Sequence, residues 1–267
     1  MILKNMRKKD IEDVTKFLEE NPNINRVYMN QTVTLESVRK EVTFRLSAKT
    51  PNQKKLVKAI ENSQISLCYG MAGTGKTYTA VQKALKLFQK GEIKKIYLIK
   101  SVTTLQGEEL GFMKGDLKEK VRPFAYSFMH AFKKILGEST LRKMEHLEII
   151  EFIPIAFLRG VSLEPNSIVL VDEAQNISIS SMRTIVTRIE EGCKLVILGD
   201  TRQVDMKKES QSSLKYFIDK FSDFDESDIA FIEFGAEDQM RNKLIVKLEE
   251  RFEKLEQDDP TLFNKTR

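Results

Sequence analysis

Residues 65–77 read ISLCYGMAGTGKT: a short apolar run, a glycine-rich turn and the start of an amphipathic segment. The last eight residues satisfy the pattern G-x-x-x-x-G-K-[ST] in the strand-to-helix context that this pattern requires. Glycines let the backbone wrap around phosphates, so that successive N–H groups point inward at a helix start whose dipole also favours anions. The stretch therefore predicts a phosphate-binding loop; the competing interpretation is a glycine-rich turn without a ligand.

Apolar strand candidates alternate with amphipathic helices after residue 50, which predicts an α/β fold with a mostly parallel sheet flanked by helices. Ligands in such sheets bind outside the carboxyl ends of the strands, so motifs that directly follow strands have the greatest weight. The predicted strands are 65–69, 95–99, 147–153, 167–171, 194–198 and 229–234. The predicted helices are 8–20, 35–45, 76–90, 117–136, 180–190, 210–221 and 237–256.

Two acids follow the fourth predicted strand and complete a nucleotide-hydrolysing pattern. Asp172 would hold a magnesium ion and Glu173 would polarise the attacking water. In the loop, Lys76 would reach the β and γ phosphates, and the Thr77 hydroxyl would ligate Mg²⁺. Taken alone, two acids after a strand are also compatible with an N-terminal helix cap. A carboxylate beside the magnesium ligand suits water activation, so hydrolysis is favoured over transfer to a small acceptor.

Two glutamines are further candidates for the site. Gln203, in the turn after strand 194–198, would hydrogen-bond the γ-phosphate or the attacking water, although an ordinary polar turn is the alternative. Gln53 lies just before a helix that leads into the first strand. Its amide can both donate to and accept from an adenine edge, but a surface glutamine that caps a helix explains the spacing equally well.

Composition sets the class of protein. The 267 residues are 41% hydrophobic, which suffices for one substantial core with a small appendage, and 31% are charged, which excludes disordered and fibrous classes. The net charge of +5 permits phosphate or nucleic-acid partners without requiring them. The two cysteines lie in apolar runs and indicate no disulfide framework. No stretch approaches the roughly 20 apolar residues of a membrane helix, so a cytoplasmic protein without a membrane partner is expected.

Five segments resemble those of the PhoH-like ATPases, which share a RecA-like core with superfamily 1 helicases: GMAGTGKT (70–77), LGFMKGDLKEKVRPF (110–124), AFLRG (156–160), VLVDEAQN (169–176) and GDTRQVD (199–205). With TPNQ at 50–53, they run in family order over roughly residues 50 to 245. The resemblance implies ATP and Mg²⁺ as ligands, with Gln53 as the adenine-contacting glutamine. The predicted nucleotide-binding residues are Gln53, Gly70, Met71, Ala72, Gly73, Thr74, Gly75, Lys76, Thr77 and Tyr78. The predicted metal ligands are Thr77 and Asp172, and the predicted catalytic residues are Lys76, Glu173, Gln203 and Arg241.

The predicted organisation is an N-terminal appendage (1–48), a RecA-type ATPase domain (49–257) and a flexible C-terminal tail (258–267). The chain has room for only one RecA-like core, and a single core that translocates needs a neighbour. The predicted working form is therefore a homo-oligomer, such as a hexamer, in which an arginine from the adjacent subunit completes the ATP site. Arg241 is the first candidate for that arginine, followed by Arg188 and Arg202.

The predicted function is a nucleic-acid-dependent ATPase that translocates on or unwinds single-stranded RNA or DNA. Residues 100–105 and 114–122 offer hydroxyls and positive charges for phosphates. Phe112, Phe124, Tyr126 and Phe128 are available to stack on bases, but helical spacing makes core burial the better explanation for most of them. The alternative is an ATP-driven oligomeric switch or assembly factor that acts on a protein partner. A small-molecule kinase is disfavoured by Glu173.

Overall fold

Six strands form one sheet in the computed structural model, which describes residues 33–101, 125–203 and 212–259 together with Lys16 and Glu20. All pairings between them are parallel, so the predicted α/β fold is confirmed. The strands are β1 (Ile65–Gly70), β2 (Lys95–Lys100), β3 (Ile150–Phe152), β4 (Ser167–Asp172), β5 (Lys194–Gly199) and β6 (Ile229–Phe234). Their order across the sheet is β3-β2-β4-β5-β1-β6.

Eight α-helices lie among the described residues: α1 (Leu35–Glu41), α2 (Pro51–Asn62), α3 (Lys76–Lys90), α4 (Tyr126–Leu136), α5 (Glu138–His146), α6 (Ile179–Val186), α7 (Ser213–Phe221) and α8 (Lys243–Asp258). Three 3-10 helices join them, at Ile155–Gly160, Ala174–Asn176 and Ala236–Asp238. None of the helices in the described ranges is long and apolar enough to cross a lipid bilayer.

Several predicted boundaries were wrong. The helix predicted at 237–256 begins only at Lys243, because the Asn242 side chain accepts a hydrogen bond from the Leu244 N–H and so caps the helix there. The sequence prediction also missed α5, which follows α4 directly. Gly137 separates the two helices with a φ of +76°, a conformation that suits glycine.

Other elements are shorter than predicted. The strand at 147–153 contains only Ile150–Phe152, and the helix at 180–190 ends at Val186, since the chain then turns to pair Ile189 with Leu163. The helices at 35–45 and 210–221 contain Leu35–Glu41 and Ser213–Phe221. Most of the helix predicted at 8–20, the segment 102–124 and the tail from residue 260 lie outside the described residues.

Two apolar layers cover the faces of the sheet. One packs α1 to α5 on β1, β2 and β4 through residues such as Phe88 and Phe128, both 0% exposed. The other packs α6 and α7 on the opposite face through Met182 and Leu214. Each large buried side chain contributes roughly 1.5–3 kcal/mol by leaving water. In the predicted appendage, Val38 of α1 is completely buried in the first layer, so the described part of that region packs against the core.

The strand order determines where the site forms. Parallel strands end at one edge of the sheet, and the loops after β1, β4, β5 and β6 therefore meet there. Because β5 lies between β1 and β4, the turn after β5 lies between the glycine-rich loop and the two acids. Because β6 pairs with β1, the segment after β6 lies on the other side of that loop.

Candidate functional site

The glycine-rich loop begins at Gly70, where the backbone of β1 lies close to that of β6. Gly70 has a φ of +125°, and a Cβ atom built on it would lie 2.0 Å from the carbonyl oxygen of Phe234 in β6. Gly75 caps α3 in the left-handed conformation, with a φ of +83°. Glycine satisfies both requirements without strain, so the local backbone explains two of the glycines in the motif.

Lys76 folds back over the loop at the start of α3. Its ammonium donates hydrogen bonds to the carbonyl oxygens of Gly70 and Met71, each at 2.7 Å. The residue is only 9% exposed, and burial lowers the pKa of its ammonium. The charge is therefore held inside the concave side of the loop, within reach of any anion that the loop encloses.

The next three carbonyl groups of the loop are held from outside. Gln239 Nε2 donates to Ala72 O at 3.1 Å, Met240 N to Gly73 O at 3.0 Å, and Gln53 Nε2 to Thr74 O at 3.0 Å. In a trans peptide, the C=O of one residue and the N–H of the next point in opposite directions. Carbonyls directed outward therefore turn the N–H groups of the following residues toward the inner side, where an anion would bind.

Thr77 and Asp172 bring two kinds of oxygen donor together. The Thr77 hydroxyl lies 3.3 and 3.4 Å from the two carboxylate oxygens of Asp172, and the Ser127 hydroxyl donates to Asp172 Oδ2 at 3.3 Å. Burial, reinforced by the neighbouring charge of Glu173, raises the pKa of Asp172. Hydroxyl and carboxylate oxygens are the ligands that Mg²⁺ prefers, and a bound cation would relieve the cost of burying this carboxylate, so the residues fit that ion.

Glu173 leaves β4 in a left-handed conformation, with a φ of +55°. Such a conformation costs a non-glycine residue about 1–3 kcal/mol and is concentrated at functional sites. The carboxylate accepts a hydrogen bond from Gln175 Nε2 at 2.7 Å and lies 3.6 Å from Lys100 Nζ. The acid that follows Asp172 is thus held in one orientation by an amide and a cation.

Gln175 was missed by the sequence analysis. It is completely buried, and its Oε1 accepts a hydrogen bond from the backbone N–H of Asp200 at 3.0 Å. One side chain therefore connects the loop after β4 with the loop after β5. A glutamine two residues after the acid pair, directly beside a buried strand, was the only local signal.

Most of the predicted site residues line one cleft of about 330 Å³ at this edge of the sheet. Asp200 and Ser127, which were not predicted, line it as well. The Asp200 carboxylate accepts hydrogen bonds from the backbone N–H groups of Ala72 at 2.8 Å and Arg202 at 3.0 Å. The predicted residues in the cleft are Ala72, Gly73, Gly75, Lys76, Thr77, Tyr78, Asp172, Glu173 and Gln203.

The sequence model of a protein family described as PhoH-like protein matches residues 45–253. The chain belongs to this family. The PhoH-like protein of Bacillus subtilis (strain 168) is 36% identical over 209 residues, which cover 78% of this chain and 64% of that protein. Protein PhoH of Escherichia coli (strain K12) is 31% identical over 204 residues, covering 76% and 56%. The chain thus spans less than two thirds of the length of either relative.

Solved structures are similar to this chain at lower sequence identity. The large terminase from a thermophilic bacteriophage is 12% identical, with a TM-score of 0.46, over 76% of this chain and 50% of that chain. The Pif1 helicase from Candida albicans is 14% identical, with a TM-score of 0.34, over 78% of this chain and 44% of that chain.

Gln53 of this PhoH-like chain lies beside the glycine-rich loop and holds it through a hydrogen bond. It is 4% exposed, and its Oε1 accepts a hydrogen bond from Lys49 N at 2.7 Å while its Nε2 binds Thr74 O. One N–H and one lone pair of the amide are not used by these two bonds. Contact with an adenine edge stays a prediction.

Arg241 lies against the phosphate loop of its own chain. A Cβ atom built on Gly73 would lie 2.5 Å from Arg241 Cδ and Nε. The structure thus brings Arg241 to the site in cis, and its use by a neighbouring subunit stays a prediction. Arg188 follows α6 and precedes β5, so it lies near the amino ends of the strands, away from the cleft. Arg202 lies 3.8 Å from Asp200 through Nε and Oδ1.

The residues predicted to contact nucleic acid in the PhoH-like chain are only partly described. Phe128 is completely buried in the core, as helical spacing favoured for most of the four aromatic residues, and is therefore not available for stacking on bases. Tyr126 is 71% exposed and stacks on His130, with ring centroids 6.0 Å apart. Lys100 lies beside Glu173, with 3.6 Å between its Nζ and Glu173 Oε1. Residues 102–124 lie outside the described ranges.

Proposed function

We propose that this chain binds ATP and hydrolyses it in the presence of Mg²⁺ in the cleft between the loops after β1 and β4. The observation that carries this proposal is that four side chains line one cleft at the edge of the sheet: Lys76, Thr77, Asp172 and Glu173. A phosphate loop alone would support binding. The acid that follows the metal ligand, held toward the cleft, supports activation of water.

Each side chain has a role that its contacts suit. The loop N–H groups and Lys76 bind the phosphates, with the Lys76 ammonium exchanging the carbonyls of Gly70 and Met71 for phosphate oxygens. Thr77 and Asp172 hold Mg²⁺, which when bound neutralises negative charge on those oxygens. Glu173 orients the attacking water and accepts its proton.

The supporting glutamines complete the proposed mechanism. Gln175 keeps the Glu173 carboxylate in place by its 2.7 Å hydrogen bond. Gln203 lines the same cleft and contacts the γ-phosphate or the water. Gln53 binds the adenine edge through the one N–H and the one lone pair of its amide that its bonds to Thr74 and Lys49 do not use. Arg241, already in contact with the loop, adds positive charge near the phosphates as they react.

We further propose that single-stranded RNA or DNA stimulates the hydrolysis and that the chain works as a homo-oligomer. The exposed Tyr126 ring supports a nucleic-acid surface, because it lies on the same helix as Ser127 and His130 of the cleft and is free enough of the core to stack on a base. A neighbouring subunit would supply the second surface that a single core needs in order to translocate.

A second candidate is an ATP-driven switch that acts on a protein partner. Helix α8 follows Arg241 directly and carries large apolar side chains on its surface, with Leu244 61% and Leu248 45% exposed. An exposed apolar face of this kind is typical of protein contacts. This arrangement would connect a partner on α8 with the residues that hold the loop.

Magnesium-dependent ATP hydrolysis, measured with and without single-stranded RNA and DNA, tests the proposal. Lys76→Ala is the blank, because it removes the phosphate-binding charge. Stimulation by one polymer, weakening as salt is raised, would support the nucleic-acid-dependent ATPase. Turnover indifferent to both polymers, with a nucleotide-dependent change in mass by light scattering, would favour the protein-directed switch. Absence of ATP binding and hydrolysis would refute both.

A further inference from the structure

Asp238 is a completely buried carboxylate that does not line the cleft. It ends the 3-10 helix that follows β6. Its Oδ2 accepts hydrogen bonds from Asn52 Nδ2 at 2.8 Å and from the backbone N–H of Gly235 at 3.1 Å. Its Oδ1 has no hydrogen-bond partner among the residues described. Burying a carboxylate is costly unless its charge is compensated by hydrogen bonds, and the oxygen without a partner needs an explanation.

The hydrogen bonds around Asp238 favour the charged form. Burial alone raises the pKa of such a group, but the nearby Thr50 hydroxyl and the donors of Asn52 and Gly235 act against burial and leave the pKa of Asp238 below its usual value. Asn52 and Thr50 belong to the amino end of α2, whereas Gly235 belongs to the segment after β6. The charge thus attracts donors from two parts of the chain.

The amino end of α2 and the segment after β6 are also the two parts of the chain that hold the glycine-rich loop. One residue beyond Asn52, Gln53 Nε2 holds Thr74 O. One and two residues beyond Asp238, Gln239 and Met240 hold Ala72 O and Gly73 O. The 2.8 Å bond between Asn52 and Asp238 therefore joins both sets of donors behind the phosphate loop.

We propose that Asp238 is a positioning residue of the nucleotide site: its carboxylate fastens the amino end of α2 to the segment after β6, and so keeps three loop carbonyls turned outward and the loop N–H groups turned toward the phosphates. It acts through Gln53, Gln239 and Met240 and does not touch the nucleotide. This inference rests on the proposed function, since it concerns the binding of ATP at the same loop.

The decisive variant is Asp238→Asn, which keeps the shape of the side chain and removes the charge. One carboxylate oxygen now serves two donors; an amide would make weaker bonds to them and would place an N–H₂ group where Oδ1 lies. Hydrogen bonds to charged groups are about twice as strong as neutral ones, so the KM for ATP should rise about tenfold. The loop N–H groups bind phosphate before and during the reaction, so kcat should stay within about twofold.

Glu237→Gln is the matched control. Glu237 is the neighbouring carboxylate, it is exposed, and it accepts from the same Asn52 Nδ2 at 3.2 Å. The variant makes the same chemical change one residue away, at an exposed carboxylate whose bond to Asn52 is longer, and should leave KM and kcat unchanged. Asn52→Ala provides a second way to break the fastening bond from the other side. It should raise KM in the same manner, and the double variant with Asp238→Asn should add little, because both remove one contact.

Circular dichroism and thermal unfolding of each variant ensure that kinetics are measured on folded protein. A raised KM with a preserved kcat in Asp238→Asn and Asn52→Ala, but not in Glu237→Gln, is the expected result. An unchanged KM in folded Asp238→Asn, while the unaltered chain hydrolyses ATP, would overturn the inference and leave the proposed function standing. A loss confined to kcat would overturn it too. An unaltered chain that neither binds nor hydrolyses ATP would overturn the proposed function and this inference together.

Discussion

Replacing Gly70 by alanine should destabilise the whole sheet, for two reasons that the structure separates. The backbone has a φ of +125°, which costs a residue with a Cβ atom about 1–3 kcal/mol. The new Cβ would also lie 2.0 Å from Phe234 O and 2.9 Å from Phe234 C, well inside van der Waals contact. These atoms are main chain of a paired strand, so β6 itself must shift, at a further cost of about 1–3 kcal/mol.

The expected loss in the free energy of unfolding is therefore about 2–6 kcal/mol, a large part of the roughly 5–15 kcal/mol typical of a domain. Urea titrations followed by far-ultraviolet circular dichroism measure it. Two matched glycines isolate the contributions. Gly137 has a φ of +76° with nothing within 4 Å, so Gly137→Ala should show the backbone cost alone. Gly160→Ala, which has neither problem, should change stability by less than about 0.5 kcal/mol.

The comparison between the variants decides the matter. If Gly70→Ala loses no more stability than Gly137→Ala, the close approach of β6 to the first glycine of the loop is wrong. The explanation for glycine at that position would then be local backbone conformation only.

Three further predictions concern the cleft and the core. Glu173→Gln should retain ATP binding but slow single-turnover hydrolysis by roughly 100-fold, because general-base catalysis contributes at least that much; a normal rate would contradict the assignment. Gln175→Leu should lower kcat more than ATP affinity, since Glu173 loses the donor that orients it. It should also lower the free energy of unfolding by about 1–3 kcal/mol, because the Asp200 N–H is left unpaired. Equal losses in kcat and in ATP affinity would argue against an orienting role for Gln175. Cys68 and Cys193 are buried, and burial raises the pKa of both thiols, so their reaction with a thiol reagent should follow the urea-unfolded fraction; fast labelling in native buffer would contradict their burial.

The predicted elements were most accurate where one local pattern specifies one structure. Helix α3 has the predicted bounds, because its amphipathic run lies between Gly75 and Gly91, two glycines in the left-handed conformation. The start of α8 was misplaced, since the apolar spacing from Leu244 onward is real but says nothing about the cap at Asn242. Periodicity reports which face of a helix is apolar, whereas the cap decides where the helix begins.

Some residues of the candidate site could be predicted from local patterns, and others could not. Lys76, Thr77, Asp172 and Glu173 could be predicted, because each follows a strand in a short motif whose geometry is local. Gln175 could not, since its importance comes from contact with the Asp200 N–H, on a different strand. Arg241 was predicted as the arginine that completes the ATP site of an adjacent subunit, whereas its contact with Gly73 of the same chain depends on β6 pairing with β1.

Local patterns in the sequence suffice to predict an α/β core, a glycine-rich loop and an acid pair, because these features are formed by strands, turns and helices a few residues long. The contacts that hold the loop in shape are long-range and appear only in the folded chain. Gln239 and Ala72 are 167 residues apart in sequence, and Asn52 and Asp238 are 186 residues apart. Those contacts exist because the chain places its last strand beside its first, and strand order is a property of the packed sheet that no local pattern encodes.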